Sequence, residues 1–277
     1  MNGALFFYNK EALTIEVIPK KPVRVLFLTF LRDIALEEYN GQSLKIEGED
    51  YYIKGVIEKA LEETQKGGVL EGLIKVVGVI VDDTESDLNG KFPLLPQNGN
   101  NWIFPSGILS NDCVWNIPSS FRKLQKSDVI GRKKSKHRFE NLVLEKAQEI
   151  GADIIISDSY MARIEHLYSF LGMIGKVLNI HPGPTLLDKK YCFRGNDPVG
   201  DAIRFAKING GPVYTGATLH FVSPKIDDGN YIAYICNTPV CEEDNELKLM
   251  FQNYQKAKLP IFVAGLKHYV LKIYPYL

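Results

Sequence analysis

Val177-Leu178-Asn179-Ile180-His181-Pro182-Gly183-Pro184 joins an apolar run to an abrupt stop. Side chains alternate along a strand, so Asn179 and His181 share one side and Ile180 takes the other. The Pro-Gly-Pro run cannot continue a sheet, so the polar pair stands at the strand's carboxyl end. A short apolar run of this kind is read as an interior strand of a parallel sheet. The carboxyl edge of such a sheet is where open α/β folds bind ligands.

The same grammar extends outward in both directions. Upstream, a helix is expected over 139–150, with Phe139, Leu142, Val143, Ala147 and Ile150 as its stripe. Gly151 ends it, and Ala152-Asp153-Ile154-Ile155-Ile156-Ser157 follows as a buried strand. Val23–Thr29 after Pro22, and Ile74–Val81, read as two more buried strands. Between them come a short hairpin over 43–53 and a helix over 52–65, whose face is Ile53, Val56, Ile57, Ala60 and Leu61. Downstream, helices are expected over 163–171 and 197–208, the latter with Pro198 in its first turn and Asn196 or Asp197 as cap. Strands over 215–223 and 231–237 and a helical tail over 243–269, interrupted at Pro260, complete the chain. Residues 3–18 alternate around Asn9-Lys10 like a hairpin, whereas 84–137 is rich in Asn, Pro, Gly and Ser. The fold class is α/β: a Rossmann-like, mostly parallel sheet with helices on both faces and an N-terminal strand or hairpin addition.

Composition and missing motifs exclude several functions. Lys plus Arg and Asp plus Glu both total 33 in 277 residues, leaving no basic excess for nucleic acid. The run Arg132-Lys133-Lys134-Ser135-Lys136-His137-Arg138 is expected to be a solvated surface ahead of a helix. Thr29-Phe30-Leu31-Arg32-Asp33 follows the first strand with no G-x-G-x-x-G, and there is no G-x-x-x-x-G-K-[S/T], so NAD and ATP are unsupported. Cys113, Cys192, Cys236 and Cys241 form no C-x-x-C pair, and the histidines are too scattered for zinc; no metal is expected. The N-terminus does not read as a signal peptide, and no apolar run reaches a membrane span. A cytoplasmic protein with no membrane partner is expected.

One constellation remains. His220 lies inside a strand, and Asp227-Asp228-Gly229 lies at its far turn, to be set beside Asn179 and His181. An amide can donate to a developing oxyanion, an imidazole can move a proton, and a carboxylate can orient or charge the imidazole. That set suits acyl transfer to an amine and needs no serine or cysteine nucleophile. On spacing alone the bland alternative stands: a strand-end histidine is usually a structural hydrogen-bonder, and an Asp-Gly turn is usually only a turn.

Four fragments in order carry a resemblance: Asn179-Ile180-His181-Pro182-Gly183, Phe193-Arg194-Gly195-Asn196-Asp197-Pro198, Gly216-Ala217-Thr218-Leu219-His220-Phe221-Val222 and Ile226-Asp227-Asp228-Gly229. Together they resemble the folate-dependent formyltransferase family. The ordered match covers 179–232, with diffuse similarity back to the strand at 153. The resemblance implies Asn179, His181 and Asp227 as the catalytic trio, with His220 in support. It implies N10-formyltetrahydrofolate as co-substrate, met near Ser159-Tyr160-Met161 and around Val222, and a small-molecule amine as acceptor. An extra residue separates Met161 from Arg163 relative to the family's Met-Arg pair. Asp227 is expected to raise the pKa of His181, which would act protonated on the oxyanion.

The domain division expected on this basis is 1–22 as a hairpin-like extension, 23–240 as the catalytic domain with 84–137 as a loop-rich insertion, and 241–277 as a helical tail. The segment after the first strand lacks the glycine-rich phosphate loop of the purine-pathway enzymes, and a basic tRNA-binding domain is not expected either. The chain is similar to the siderophore-pathway hydroxyornithine formyltransferases in Pro182-Gly183-Pro184-Thr185 and Asp227-Asp228-Gly229, so N5-hydroxyornithine is the expected acceptor. A nucleotide-linked amino sugar and a hydrolase releasing formate are the alternatives. Arg194 is a candidate acceptor-binding residue or a structural one.

Overall fold

The computed structural model describes residues 6–7, 15–29, 42–82, 102–104, 107–109, 113–158, 163–185, 192–210 and 213–277. Its strands are β1 (Phe6–Phe7), β2 (Val23–Thr29), β3 (Gln42–Ile46), β4 (Glu49–Ile53), β5 (Ile74–Val81), β6 (Trp102–Phe104), β7 (Gly107–Leu109), β8 (Val114–Asn116), β9 (Ile154–Asp158), β10 (Val177–His181), β11 (Val213–Phe221) and β12 (Tyr231–Val240). Its α-helices are α1 (Val56–Glu63), α2 (Val129–Glu149), α3 (Pro198–Asn209), α4 (Glu246–Asn253) and α5 (Leu259–Lys272), with a π turn, Tyr254–Lys258, between the last two.

Among the described residues, eight strands form one sheet in the order β1-β12-β11-β10-β9-β2-β5-β8. The pairs from β10 to β8 are parallel, and those from β10 to β1 are antiparallel. The expected Rossmann-like α/β sheet is therefore present, and β10 stands where it changes from parallel to antiparallel. Alternation splits β10 between two cores. Leu178 and Ile180 join the larger one with α1 and α5, while Val177 joins the smaller one with Phe139, Val143 and Ala147 of α2. Helices thus cover both faces. A third cluster packs α3 against β11, β12 and α4 through Val199, Ala202, Ile203, Val213, Val240 and Leu249.

The hairpin at 43–53 is β3 and β4. It claims Tyr52 and Ile53, so α1 begins at Val56 rather than at 52. The helix expected over 139–150 begins ten residues earlier, because Asp128 caps it by accepting from the Gly131 N–H at 2.8 Å. The basic run 132–138 therefore lies inside α2, not ahead of a helix. Arg132 donates to the carbonyls of Phe121 and Leu124, and Lys136 pairs with Glu165. Over 163–171 only the short 3₁₀ turn Leu167–Ser169 forms. The amides of Glu165, His166 and Leu167 donate to the buried carboxylate of Glu140 at 2.6–2.9 Å, which caps this turn, and the backbone turns extended at Phe170, so the helix goes no further.

Asp197, rather than Asn196, caps α3, accepting from Gly200 N–H at 3.0 Å. The tail runs continuously through Pro260, and the Lys256 carbonyl that its missing N–H would leave bare accepts from Asn237 Nδ2 at 3.0 Å. Of the expected N-terminal hairpin, β1 pairs with β12, and its tip at Asn9-Lys10 lies outside the described residues.

Candidate active site

Asn179 and His181 project from the same side of β10, and His220 of β11 lies directly across from Asn179 in register. Asp227 comes from the turn after β11, at a left-handed φ of +48°, a conformation aspartate tolerates better than most residues. Gly229 makes that turn possible. A Cβ there would lie 1.6 Å from the Phe221 carbonyl oxygen, so only glycine lets the chain fold back tightly enough.

The carboxylate of Asp227 is the hub. Its Oδ1 accepts from Asn179 Nδ2 at 3.2 Å, and its Oδ2 accepts from Gly195 N–H at 3.0 Å. Oδ2 also faces His181 Nδ1 at 3.5 Å, and Oδ1 faces His220 Nε2 at 3.6 Å. The amide, imidazole and carboxylate singled out in the sequence are thus within touching distance, with His220 beside them.

The carbonyl partners fix the tautomers. His220 Nδ1 donates to the Phe221 carbonyl at 2.9 Å, leaving Nε2 to accept from Asn179 Nδ2 at 3.1 Å. His181 Nε2 donates to the Phe193 carbonyl at 2.8 Å. In the neutral ring its Nδ1 is then bare, and 3.5 Å from a carboxylate is longer than a charge-assisted hydrogen bond.

Burial holds the His181 imidazole below the ordinary histidine range. The Asp227 charge and the Phe193 carbonyl pull it upward without overcoming desolvation, and His220 and Lys258 push it down. This corrects the expectation of a raised pKa: Asp227 acts in the expected direction, but the ring is 5% exposed and burial wins. Burial alone would raise the Asp227 carboxyl. The charges that His181 and His220 carry once protonated, with the Gly195 N–H, nonetheless keep it well below the usual carboxylate range.

Arg194 is tied down. It pairs with Asp228 at 2.5 Å and donates to the Thr185 carbonyl at 2.9 Å, while its buried Nε has no hydrogen-bond partner among the described residues. Val222 packs on the smaller core and donates its N–H to Val177 O at 2.9 Å. Ser159, Tyr160 and Met161 lie outside the described residues. Among the described residues no group of three or more His, Cys, Asp or Glu side chains is placed to hold a metal ion. Residues that the sequence did not single out also shape the site. The Phe193 carbonyl and Gly195 N–H fall within a recognised fragment, whereas Asn253, which donates to the Pro182 and Gly216 carbonyls at 3.0 and 2.9 Å, has no local signature.

A Rossmann-like sheet carrying an amide, a buried imidazole and a carboxylate beside one strand end has the parts of a group-transfer enzyme. The chain belongs to the formyl transferase family: the family model matches residues 115–264, more than half of its length. PvdF, described as a structurally unique N10-formyltetrahydrofolate-dependent formyltransferase of pyoverdin biosynthesis, is similar in structure. It is 25% identical with a TM-score of 0.71, over 88% of this chain and 98% of that one. Phosphoribosylglycinamide formyltransferase from Bacillus halodurans shares the fold at 18% identity and TM-score 0.53, over 88% and 93%. A formyltetrahydrofolate deformylase from Pseudomonas syringae does so at 15% and 0.54, over 91% of this chain and 62% of that one. None of the curated proteins matches the sequence.

Proposed function

We propose that this chain moves the formyl group of N10-formyltetrahydrofolate to the amine of a small molecule, with N5-hydroxyornithine as the acceptor. The observation that carries the transfer chemistry is the convergence of Asn179 and His181 on the Asp227 carboxylate, at 3.2 and 3.5 Å. The acceptor reading is supported by the likeness to PvdF, which extends over nearly all of that chain. The folate supplies a formyl group activated by attachment to nitrogen.

In this reading the Asn179 amide donates to the formyl oxygen as it turns negative under attack by the acceptor nitrogen. His181, neutral at the outset, takes the acceptor's proton on Nδ1. Asp227 stabilises the imidazolium that results, and His220 holds the Asn179 amide with its N–H groups inward. As the tetrahedral adduct collapses, the bond from the formyl carbon to the folate nitrogen breaks and the imidazolium returns its proton to that nitrogen, leaving tetrahydrofolate and the formylated acceptor. Ser159, Tyr160, Met161 and Val222 are assigned to the folate side, and Arg194, oriented by Asp228, to the acceptor side. The catalytic unit is assigned to 23–240, with 1–22 and 241–277 as additions. A siderophore-pathway role in the cytoplasm fits this acceptor; no helix among the described residues is long and apolar enough to cross a membrane.

The test is product analysis by mass. The protein is incubated with the folate donor and a panel holding N5-hydroxyornithine, ornithine and a nucleotide-linked amino sugar. Formylated hydroxyornithine is the expected product. A formylated sugar would replace the acceptor assignment, and formate alone would replace transfer by hydrolysis.

A further inference from the structure

Lys258 and Asp158 form an ion pair of 2.8 Å with side-chain exposures of 0% and 2%. Removing two charges from water is costly, and a pair so buried is weak evidence for stability in itself. Its position offers another reason for it.

Asp158 ends β9 opposite Ile180 of β10. Alternation puts it with Ile154 and Ile156, on the side of the larger core, whereas Asn179 and His181 project from the other side. The pair thus backs the active strand from behind. Lys258 closes the π turn Tyr254–Lys258, a rare geometry that is enriched at functional sites. Its Nζ also donates to Tyr254 Oη at 2.5 Å and lies 4.2 Å from the centre of the Tyr254 ring. One residue before the turn, Asn253 donates to the carbonyls of Pro182, next to His181, and Gly216 of β11. Six residues, 253–258, therefore fasten the tail to β9, to the turn after β10 and to β11.

We propose that Lys258, held by Asp158, is a positioning residue for formyl transfer: it ties the π turn to the carboxyl end of β9, while Asn253 at the head of that turn holds the Pro182 carbonyl beside His181. The inference rests on the reading of His181 as proton acceptor. The charged and titratable groups acting on His181 are Asp227 from the turn after β11, His220 from β11 and Lys258 from the π turn, with Asp158 of β9 paired to Lys258. Asp227 and the Phe193 carbonyl favour the imidazolium, and burial outweighs them. Lys258 acts in the same direction as burial and lies on the far side of β10, where it does not itself touch the substrate.

The test compares the charge-free variant Lys258→Met/Asp158→Asn with Lys258→Arg in the full chain, measuring kcat, KM, the kcat/KM–pH profile and thermal unfolding. The charge-free variant is expected to fold and to lose about tenfold or more in kcat through misplacement of the imidazole, with acceptor KM unchanged. Its acid limb is expected to move to higher pH, whereas Lys258→Arg keeps the wild-type profile. Wild-type kcat with an unmoved acid limb overturns the proposal, as does a loss of kcat that follows the melting temperature alone. Should neither variant fold, Asn253→Ala, which releases the same segment from the Pro182 carbonyl, decides: a fall in kcat at an unchanged melting temperature upholds the proposal, and wild-type kcat overturns it. A wild type that makes no formylated product contradicts the proposed function instead.

Discussion

His220 donates from Nδ1 to the Phe221 carbonyl at 2.9 Å and thereby offers a bare Nε2 to the Asn179 amide nitrogen at 3.1 Å. A histidine on one strand thus sets which end of an amide on the next faces the reaction. If Asn179 donates to the oxyanion, Asn179→Ala should lower kcat by about 10²–10³-fold, the loss typical of one such donor. His220→Leu should cost less. The double variant should fall no further than Asn179→Ala, because His220 acts through Asn179. Additive losses in steady-state kinetics would show that the two act separately.

Asp227→Asn keeps the size of the side chain and removes its charge. Turnover should drop by roughly 10²–10⁴-fold, the range for a group that assists proton transfer. The stability effect has a definite sign. The folded carboxyl is held below its ordinary value of 3.8, so its contribution is full above that pH and is lost as pH falls through the folded value. Urea unfolding between pH 2 and 6 should show a shallower acid decline in the variant. An unchanged kcat would remove Asp227 from the mechanism.

Buried His181 titrates below its ordinary value of 6.5. The unfolded chain takes up this proton first, so the stability contribution is full above 6.5 and declines as pH falls from there toward the folded value. For activity, kcat/KM should be level above that pH and fall on the acid side, with its inflection under 6.5. An inflection above it would mean that Asp227 outweighs burial.

Gly229→Ala should lower stability by at least about 2 kcal/mol, since the Phe221 carbonyl must move to admit a methyl group. That corresponds to a fall of at least about 3–4 °C in Tm for a chain of this size. Activity should fall further than the melting temperature explains, because the same turn carries Asp227. Calorimetry and kinetics on one preparation would check both.

The fold was legible wherever periodicity was dense. The apolar runs at Val23–Thr29, Ile74–Val81 and Ile154–Asp158 became adjoining parallel strands. It was illegible where side chains from distant segments decide the outcome. The first ten residues of α2 carry Gly131 and a charge run, with no apolar stripe to announce a helix; a cap at Asp128 and contacts to Phe121, Leu124 and Glu165 hold them instead. The three amides at 165–167 look free in sequence and are claimed by Glu140, 25 to 27 residues earlier. For the site, alternation gave the shared side of Asn179 and His181 directly. The sign of the His181 shift was not accessible, because desolvation depends on what packs over the ring. Lys258 had no motif to mark it.

Both hydrogens of the Asn179 amide are already engaged, one by His220 and one by Asp227. The amide is therefore satisfied within the protein. A formyl oxygen cannot simply dock; it must displace a standing partner, and the exchange brings little net gain for a bare carbonyl. The shortfall has to come from contacts far from the reacting carbon, through the body of each ligand. Fragments of either substrate should therefore be poor competitors, and water, which has no such body, a poor thief of the formyl group.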